Sequence, residues 1–344
     1  MSGPRVIAPN LKRRLSGVTA TIARLVPLQA REIAIVATGP GLPAGVPHLP
    51  LWRVALLDRR IPRVWHARRN TEMLLGLALR HLLRKRLKLV FTSASQRRHS
   101  AYTKWLIGHM DAVIATSART AAYLERPATV ILHGIDTDSF APAPDRAALR
   151  ARLGLPAAGR LVGCYGRIRA QKGTDVFVDA MIAALPALPD TAALVMGRAT
   201  EGHGAFLDTL RARVAAAGLA DRIVFHPEVT VDRMPEYYAA LDLYIAPQRW
   251  EGFGLTPLEA MACAVPVIAT DVGAFPELVA EGETGRIVPA GDAAAMADAV
   301  RALLADPDRL AEMASAARAH ARTRFRLEDE AAAITALYRR LLDD

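Results

Sequence analysis

Residues 251–259 read EGFGLTPLE, which sets two carboxylates, Glu251 and Glu259, on either side of a glycine-broken turn with seven residues between them. Gly252 and Gly254 let backbone approach a ligand where a Cβ would intrude, and Pro257 suits the first turn of a helix. A helix beginning here aims its free N–H groups at an anion. Thr256 to Glu259 also fits a capping box, in which Glu259 serves only its own helix. A cap leaves Glu251 unexplained.

A second constellation is GCYGRIRAQKG, residues 163–173, where Gly166 ends a strand, Arg167 follows and Lys172 precedes Gly173 and a helix. Two cations beside a strand-to-helix crossover can neutralise a diphosphate leaving group, Arg with planar bidentate donors and Lys with a compact charge. Such charge stabilisation is commonly the largest catalytic contribution. The alternative is two surface residues of an ordinary loop.

Other residues need weighing one by one. Ser16 and Gly17 precede a helical pattern starting near Val18, a turn that serves as an N-cap or as a close approach to a ligand. Lys12, Arg13 and Arg14 beside it suit an anionic acceptor. His66, in RVWHARRN, falls at the C-terminal end of an expected strand, where doubly wound domains place ligand contacts, and Asn70 reads as the cap of the next helix. Asp136-Thr137-Asp138 has the form of a metal-binding Asp-x-Asp. Cys164 and Cys263 lack paired or metal-like spacing and read as small core residues of a protein from a reducing compartment.

The elements that must position these groups follow from periodicity. Short apolar runs alternate with longer helical patterns, as successive βα units do. Strands are expected at 5–9, 32–38, 63–66, 87–93, 112–116 and 129–132, and after a Pro-rich connection at 133–160 again at 161–165, 192–196, 223–225, 243–245 and 265–269. A chain of 344 residues exceeds one ordinary core, and the expected class is α/β with two doubly wound Rossmann-like domains, 1–145 and 146–326, and a last helix over 327–344.

Charge is uneven. Residues 1–150 carry 24 Lys and Arg against 8 Asp and Glu, whereas the remainder carries 20 against 26. The stretch 73–89 reads as a helix combining an apolar face with Arg80, Arg84, Lys85, Arg86 and Lys88. A second stretch, 97–110, sets Tyr102, Trp105, Leu106 and Ile107 among Arg97, Arg98 and Lys104. Basic amphipathic faces with Tyr and Trp suit an anionic membrane surface, although a helix packed on a sheet with a solvated edge has the same pattern. No aromatic platform or nucleic-acid motif accompanies the basicity, so no nucleic-acid partner is expected. No apolar run reaches the roughly 20 residues that span a bilayer, and no cleavable leader is evident, so a cytoplasmic, peripheral protein is expected.

The Glu251–Glu259 motif, with MACAVPVIATDVGAFPELV and GETGRIVPAGD after it, resembles retaining glycosyltransferases of family 4, which have the GT-B fold. The resemblance implies two Rossmann-like domains facing across a cleft, the first for acceptor and the second for nucleotide sugar, with the last helix crossing back to the first. It implies Glu251 and the turn Gly252, Phe253, Gly254 and Leu255 at the donor sugar, Glu259 on the ribose, Arg167 and Lys172 on the diphosphate, and Gly17 near the donor. A histidine near the third strand contacts the sugar in that family, and either His66 or Arg68 takes that position here. PNLKRRLSGVT, VWHARRNTEM, FTSASQRRHSAYTKWLI and HGIDTDSF are similar to bacterial lipopolysaccharide core mannosyltransferases. That implies GDP-mannose as co-substrate with no cofactor and no catalytic metal, Asp136 and Asp138 falling in what resembles the family's linker, a Kdo-containing lipid-linked acceptor and the inner face of the cytoplasmic membrane. A UDP-sugar branch of the family, or a GT-B epimerase or phosphorylase, are the alternatives.

Overall fold

The computed structural model describes residues 3–13 and 17–344, which form two compact units, Met1–Gly134 with Leu327–Asp344 and Ile135–Arg326. Each is built on a six-stranded parallel sheet. In the first, β1 (Val6–Pro9), β2 (Ile35–Thr38), β3 (Arg63–Ala67), β4 (Leu87–Ser93), β5 (Ala112–Ala115) and β6 (Thr129–Val130) take the order β2-β1-β3-β4-β5-β6. These strands are short apolar runs because helices cover both faces. Alternate residues supply the two faces: Val64 and Val90 join Ile22, Leu25, Ile334 and Tyr338 on one, while Trp65 and Leu89 join Met73, Leu77 and Leu106 on the other. The helix Leu327–Asp343 is thus part of the first unit's core.

In the second unit, β7 (Arg160–Tyr165), β8 (Thr191–Met196), β9 (Ile223–His226), β10 (Leu243–Ala246), β11 (Val267–Thr270) and β12 (Gly285–Val288) take the order β12-β11-β10-β7-β8-β9. Phe177 and Met181 of the helix Thr174–Ala184 and Met296 and Val300 of the helix Ala293–Leu304 pack against Val162, Ile245 and Ile268. Strand order reverses between β1 and β3 in the first sheet and between β7 and β10 in the second, and the loops leaving such neighbours diverge to open a crevice at their C-terminal ends.

Several expectations change. The first unit ends at Gly134, not at 145, because the outgoing chain is bonded into the second unit: Ile135 donates its N–H to the Phe325 carbonyl at 2.8 Å, and Arg318 donates to the carbonyls of Phe140 and Thr137 at 2.7 and 2.9 Å. The connection also contains a helix, Arg146–Leu153, capped by the Asp145 carboxylate and closed by Gly154 in the left-handed conformation. Strand β12 was not among the strands expected.

The stretch 73–89 is not one helix. The helix Asn70–His81 stops, Arg84 turns the chain with φ 50°, and β4 begins at Leu87. Arg84 and Arg86 are exposed, Lys88 lies half-buried in the strand, and Lys85 is buried with its ammonium donating to the Leu57 carbonyl at 2.6 Å. In the helix Ala101–Gly108, Leu106 and Ile107 are core residues, leaving Tyr102 and Trp105 exposed.

Candidate active site

In the second unit the reversal point lies between β7 and β10, and the predicted residues come from the loops that follow those two strands. After β7 the chain turns through Gly166, exposes Arg167, and makes a 3₁₀ turn Ala170–Lys172 that ends at Gly173 with φ 70°. A Cβ on Gly173 would stand 1.8 Å from the Pro247 carbonyl oxygen, so only glycine lets the two loops meet. Two ion pairs tie them together. Arg249 spans Asp175 bidentately at 2.7 and 2.8 Å, and the Lys172 ammonium pairs with the Glu251 carboxylate. Burial works to raise the Asp175 carboxyl, and the bonds from Arg249 overcome it, holding it below the usual range. Two residues expected to act separately on a donor therefore hold each other across the crevice, with the sequence giving no sign of it.

Gly252 donates its N–H to the same Glu251 carboxylate at 3.1 Å. Gly254 has φ 88°, and a Cβ there would come within 2.3 Å of the Phe275 ring and 2.9 Å of Glu251. Phe253 is buried and Leu255 half-buried at the start of the helix Thr256–Ala262. The capping box does not form: Leu255 is the N-cap without a side-chain cap bond, and the Glu259 carboxylate accepts from the Tyr238 hydroxyl at 2.7 Å. Burial, then the Glu259 charge, pushes the Tyr238 hydroxyl well above its ordinary value, so it stays a donor that orients Glu259. Arg167 stands exposed, with no ion pair among the described residues. Cys164 and Cys263 are buried, their thiols pushed up to about 12 by burial.

In the first unit the residue missed by sequence is Asn10, fully buried just after β1. It donates to the Pro40 carbonyl at 2.6 Å and accepts from Thr19 and Arg69 at 3.1 and 3.0 Å. Arg69 also pairs at 2.6 Å with Glu72, itself fully buried, whose other oxygen accepts from the Arg68 N–H at 2.8 Å. Glu72 thus ends the loop that Asn70 was expected to cap; Asn70 is instead the first helical residue and donates to Thr103 at 2.8 Å. Lys12 and Arg13 are exposed, Gly17 opens the helix Gly17–Gln29 with open space where a Cβ would be, and Arg14 and Ser16 lie outside the described residues.

His66 is not at an open position. Its ring is fully buried, with Nδ1 2.5 Å from the Tyr338 hydroxyl and Nε2 2.6 Å from the Thr92 hydroxyl. Burial, reinforced by Arg68, holds it well below its usual range and therefore neutral. Arg68, the alternative, lines open space. Asp136 binds its own turn, accepting from the Asp138 and Ser139 N–H groups at 3.0 Å each, and no three metal-ligating side chains converge among the described residues.

The family model of glycosyl transferases group 1 matches residues 145–320. The chain belongs to that family. Group 1 membership agrees with near-full-length relatives. The chain is 56% identical to the lipopolysaccharide core biosynthesis mannosyltransferase LpsB of Rhizobium meliloti (strain 1021), covering 98% of this chain and 97% of that one. It is 54% identical to the corresponding enzyme LpcC of Rhizobium leguminosarum bv. viciae, with the same coverage. Anabaena Alr3699/HepE, solved in complex with UDP, superposes with a TM-score of 0.85 at 21% identity, covering 97% of this chain and 99% of that one. That likeness establishes the architecture of this glycosyl transferase, the GT-B fold of two parallel α/β units.

Proposed function

We propose that this group 1 glycosyl transferase is a retaining, family-4 mannosyltransferase that moves mannose from GDP-mannose to the Kdo region of a lipopolysaccharide core. The single observation that carries the mannosyl reading is the likeness, over nearly the whole of both chains, to the two Rhizobium enzymes. The crevice at β7 and β10 supports a nucleotide-sugar donor, since it sets two cations and two carboxylates at the reversal point. On this reading Glu259 takes the ribose hydroxyls, Arg167 and Lys172 the diphosphate, and Glu251 with the 252–255 turn the sugar. Lys172 exchanges part of its bond to Glu251 for the phosphate, freeing a carboxylate oxygen for sugar hydroxyls.

Transfer then proceeds on one face of the sugar. The anomeric carbon–phosphate oxygen bond breaks, the acceptor oxygen bonds to that carbon from the same side, and the acceptor proton passes to the departing phosphate. Cationic side chains supply the charge stabilisation, so transfer is expected without a divalent ion. The first unit takes the acceptor, and its exposed apolar and basic groups support a peripheral position on the inner face of the cytoplasmic membrane.

A donor screen on a lipid-linked core acceptor in excess EDTA tests this reading. GDP-mannose should turn over faster than UDP-glucose or UDP-galactose. A preference for a UDP-sugar would move the chain to another branch, and free sugar released or exchanged without acceptor would indicate an epimerase or phosphorylase.

A further inference from the structure

A cavity of about 630 Å³ opens in the first unit where β3 and β4 end, lined by Arg68 after β3 and by the 91–100 segment that leaves β4. Its charged lining is of one sign. Arg68, Arg97 and Arg98 contribute three guanidinium groups, no carboxylate is among the lining residues, and none of the three arginines is paired with one among the described residues. Its walls also hold polar atoms that nothing satisfies. Among the described residues the Ser93 hydroxyl, on a residue only 1% exposed, has no hydrogen-bond partner, and neither do Arg68 Nε and His99 Nε2. Buried polar atoms without partners are rare because each forfeits its solvation, so three of them on residues that line one hollow set it apart as a place for a polar ligand. Size excludes a bare ion as the whole occupant, since ~300–1,000 Å³ is the range of sites that enclose a drug-sized molecule.

We propose that this cavity is an acceptor subsite that recognises an oxyanion carried on a sugar, with Arg97 and Arg98 at its mouth, Arg68 at its wall and Ser93 and His99 as the uncharged partners of the same residue. The inference rests on the transfer to an acidic glycan proposed above and gives it a location. Guanidinium groups match the planar geometry of a carboxylate and the oxygens of a phosphate alike. Burial, then Arg97 and Lys104, holds His99 below its ordinary value, so the ring is neutral and its buried Nε2 has no hydrogen-bond partner among the described residues. Arg97 and Arg98, which as sequence look like part of a membrane-facing stripe, are here turned to a hollow.

Titration calorimetry on the full chain without donor tests this with three probes: the methyl glycoside of Kdo, its carboxyl-reduced counterpart, and glucose 6-phosphate as a sugar phosphate. The wild type should bind at least one acidic probe about ten-fold or more tightly than the reduced glycoside, as a lost charge-assisted bond implies. Whichever acid binds more tightly identifies the group recognised. Arg97→Gln/Arg98→Gln, both exposed and outside the core, should lose about ten-fold in affinity for that acid and discriminate little against the reduced form. Arg68→Gln should do the same, and GDP titration of each variant reports that the second unit is still folded. Equal binding of acidic and reduced probes, no binding of either acid, or unchanged affinity in the Arg97/Arg98 variant overturns the subsite and leaves the transferase reading standing. Failure of the wild type to transfer from any nucleotide sugar to a lipid-linked acceptor overturns that reading instead, while the calorimetry still decides the subsite.

Discussion

Lys172 and Glu251 lie 79 residues apart in sequence yet form an ion pair, and that pair changes what their removal should do. Lys172→Ala leaves Glu251 half-buried without its counter-charge and, on the proposed donor pose, would strip the phosphate of a cation; Glu251→Ala frees Lys172 and, on the same pose, would remove the group facing the sugar. Each variant should lower kcat by about 10²–10³-fold, the usual consequence of losing one preorganised charge contact. Steady-state turnover, with circular dichroism to verify folding, checks this, and near-wild-type rates in either variant would remove the assignment. His66 yields a different kind of prediction. Its folded-state pKa is depressed by burial, so as pH falls below the unfolded value near 6.5 the unfolded chain takes up a proton that the folded one refuses. Stability is therefore full above that value and is lost toward acid, by up to about 1.4 kcal/mol per pH unit for this group. Urea midpoints at pH 7.5 and 5.5 should show a smaller acid loss for His66→Gln than for the wild type, the contributions of His99 and His320, depressed in the same direction, being common to both. An identical slope would show that the ring is protonated in the fold.

At the scale of elements, what could be read from sequence was whatever local periodicity determines. Parallel strands covered on both faces are apolar runs bounded by turns, so β1, β4 or β7 stand out, and the EGFGLTPLE turn shows where a loop feeds a helix. Contacts set by strand order do not. Nothing near Asp242 in sequence suggests that it gathers Arg146, Arg150 and Arg160, because the pairing of β7 with β10 brings Arg160 and the packing of the helix Arg146–Leu153 brings the other two. The end of the helix at His81 was equally hidden: Arg84 takes a left-handed conformation that glycine normally marks, and the basic pattern continues past it. Asp242 is buried, and it receives Arg150, also buried, at 2.5 Å and the Leu161 N–H at 2.7 Å. Removing one partner leaves the other charge uncompensated, so Asp242→Ala should destabilise the second unit by about 3–5 kcal/mol. Chemical denaturation followed by Trp250 fluorescence measures it, and a loss under about 1 kcal/mol would mean that Arg150 finds water or another acceptor.

For the molecule as a whole, the basicity of the first half becomes a surface only once the fold brings separate segments together. Arg86 donates to the Arg60 carbonyl and its N–H to that of Arg59, and Lys85 bonds the Leu57 carbonyl, so the turn after His81 lies against the segment 57–60 that leaves the helix Leu51–Leu56. On these two segments Trp52, Leu56 and Leu82 are 61, 74 and 80% exposed, and Arg53, Arg59, Arg60, Arg84 and Arg86 are exposed with them against one carboxylate, Asp58. No helix among the described residues is long and apolar enough to cross a membrane, whereas this patch combines apolar groups with cations as an anionic bilayer surface requires. Each basic residue near such a surface contributes about 1 kcal/mol and is screened beyond a Debye length, so sedimentation with phosphatidylglycerol vesicles should fall steeply with salt. Trp52→Ser/Leu56→Ser and Arg84→Gln/Arg86→Gln should each lower it, the first with little change in salt dependence and the second with a shallower one. Both should slow transfer to a lipid-linked acceptor more than transfer to a soluble core fragment, since the crevice at β7 and β10 is untouched. Lys85 is left out because its ammonium is buried against Leu57 and its loss would act through folding. Vesicle binding that persists in both variants would show that these cations and apolar groups do not meet lipid.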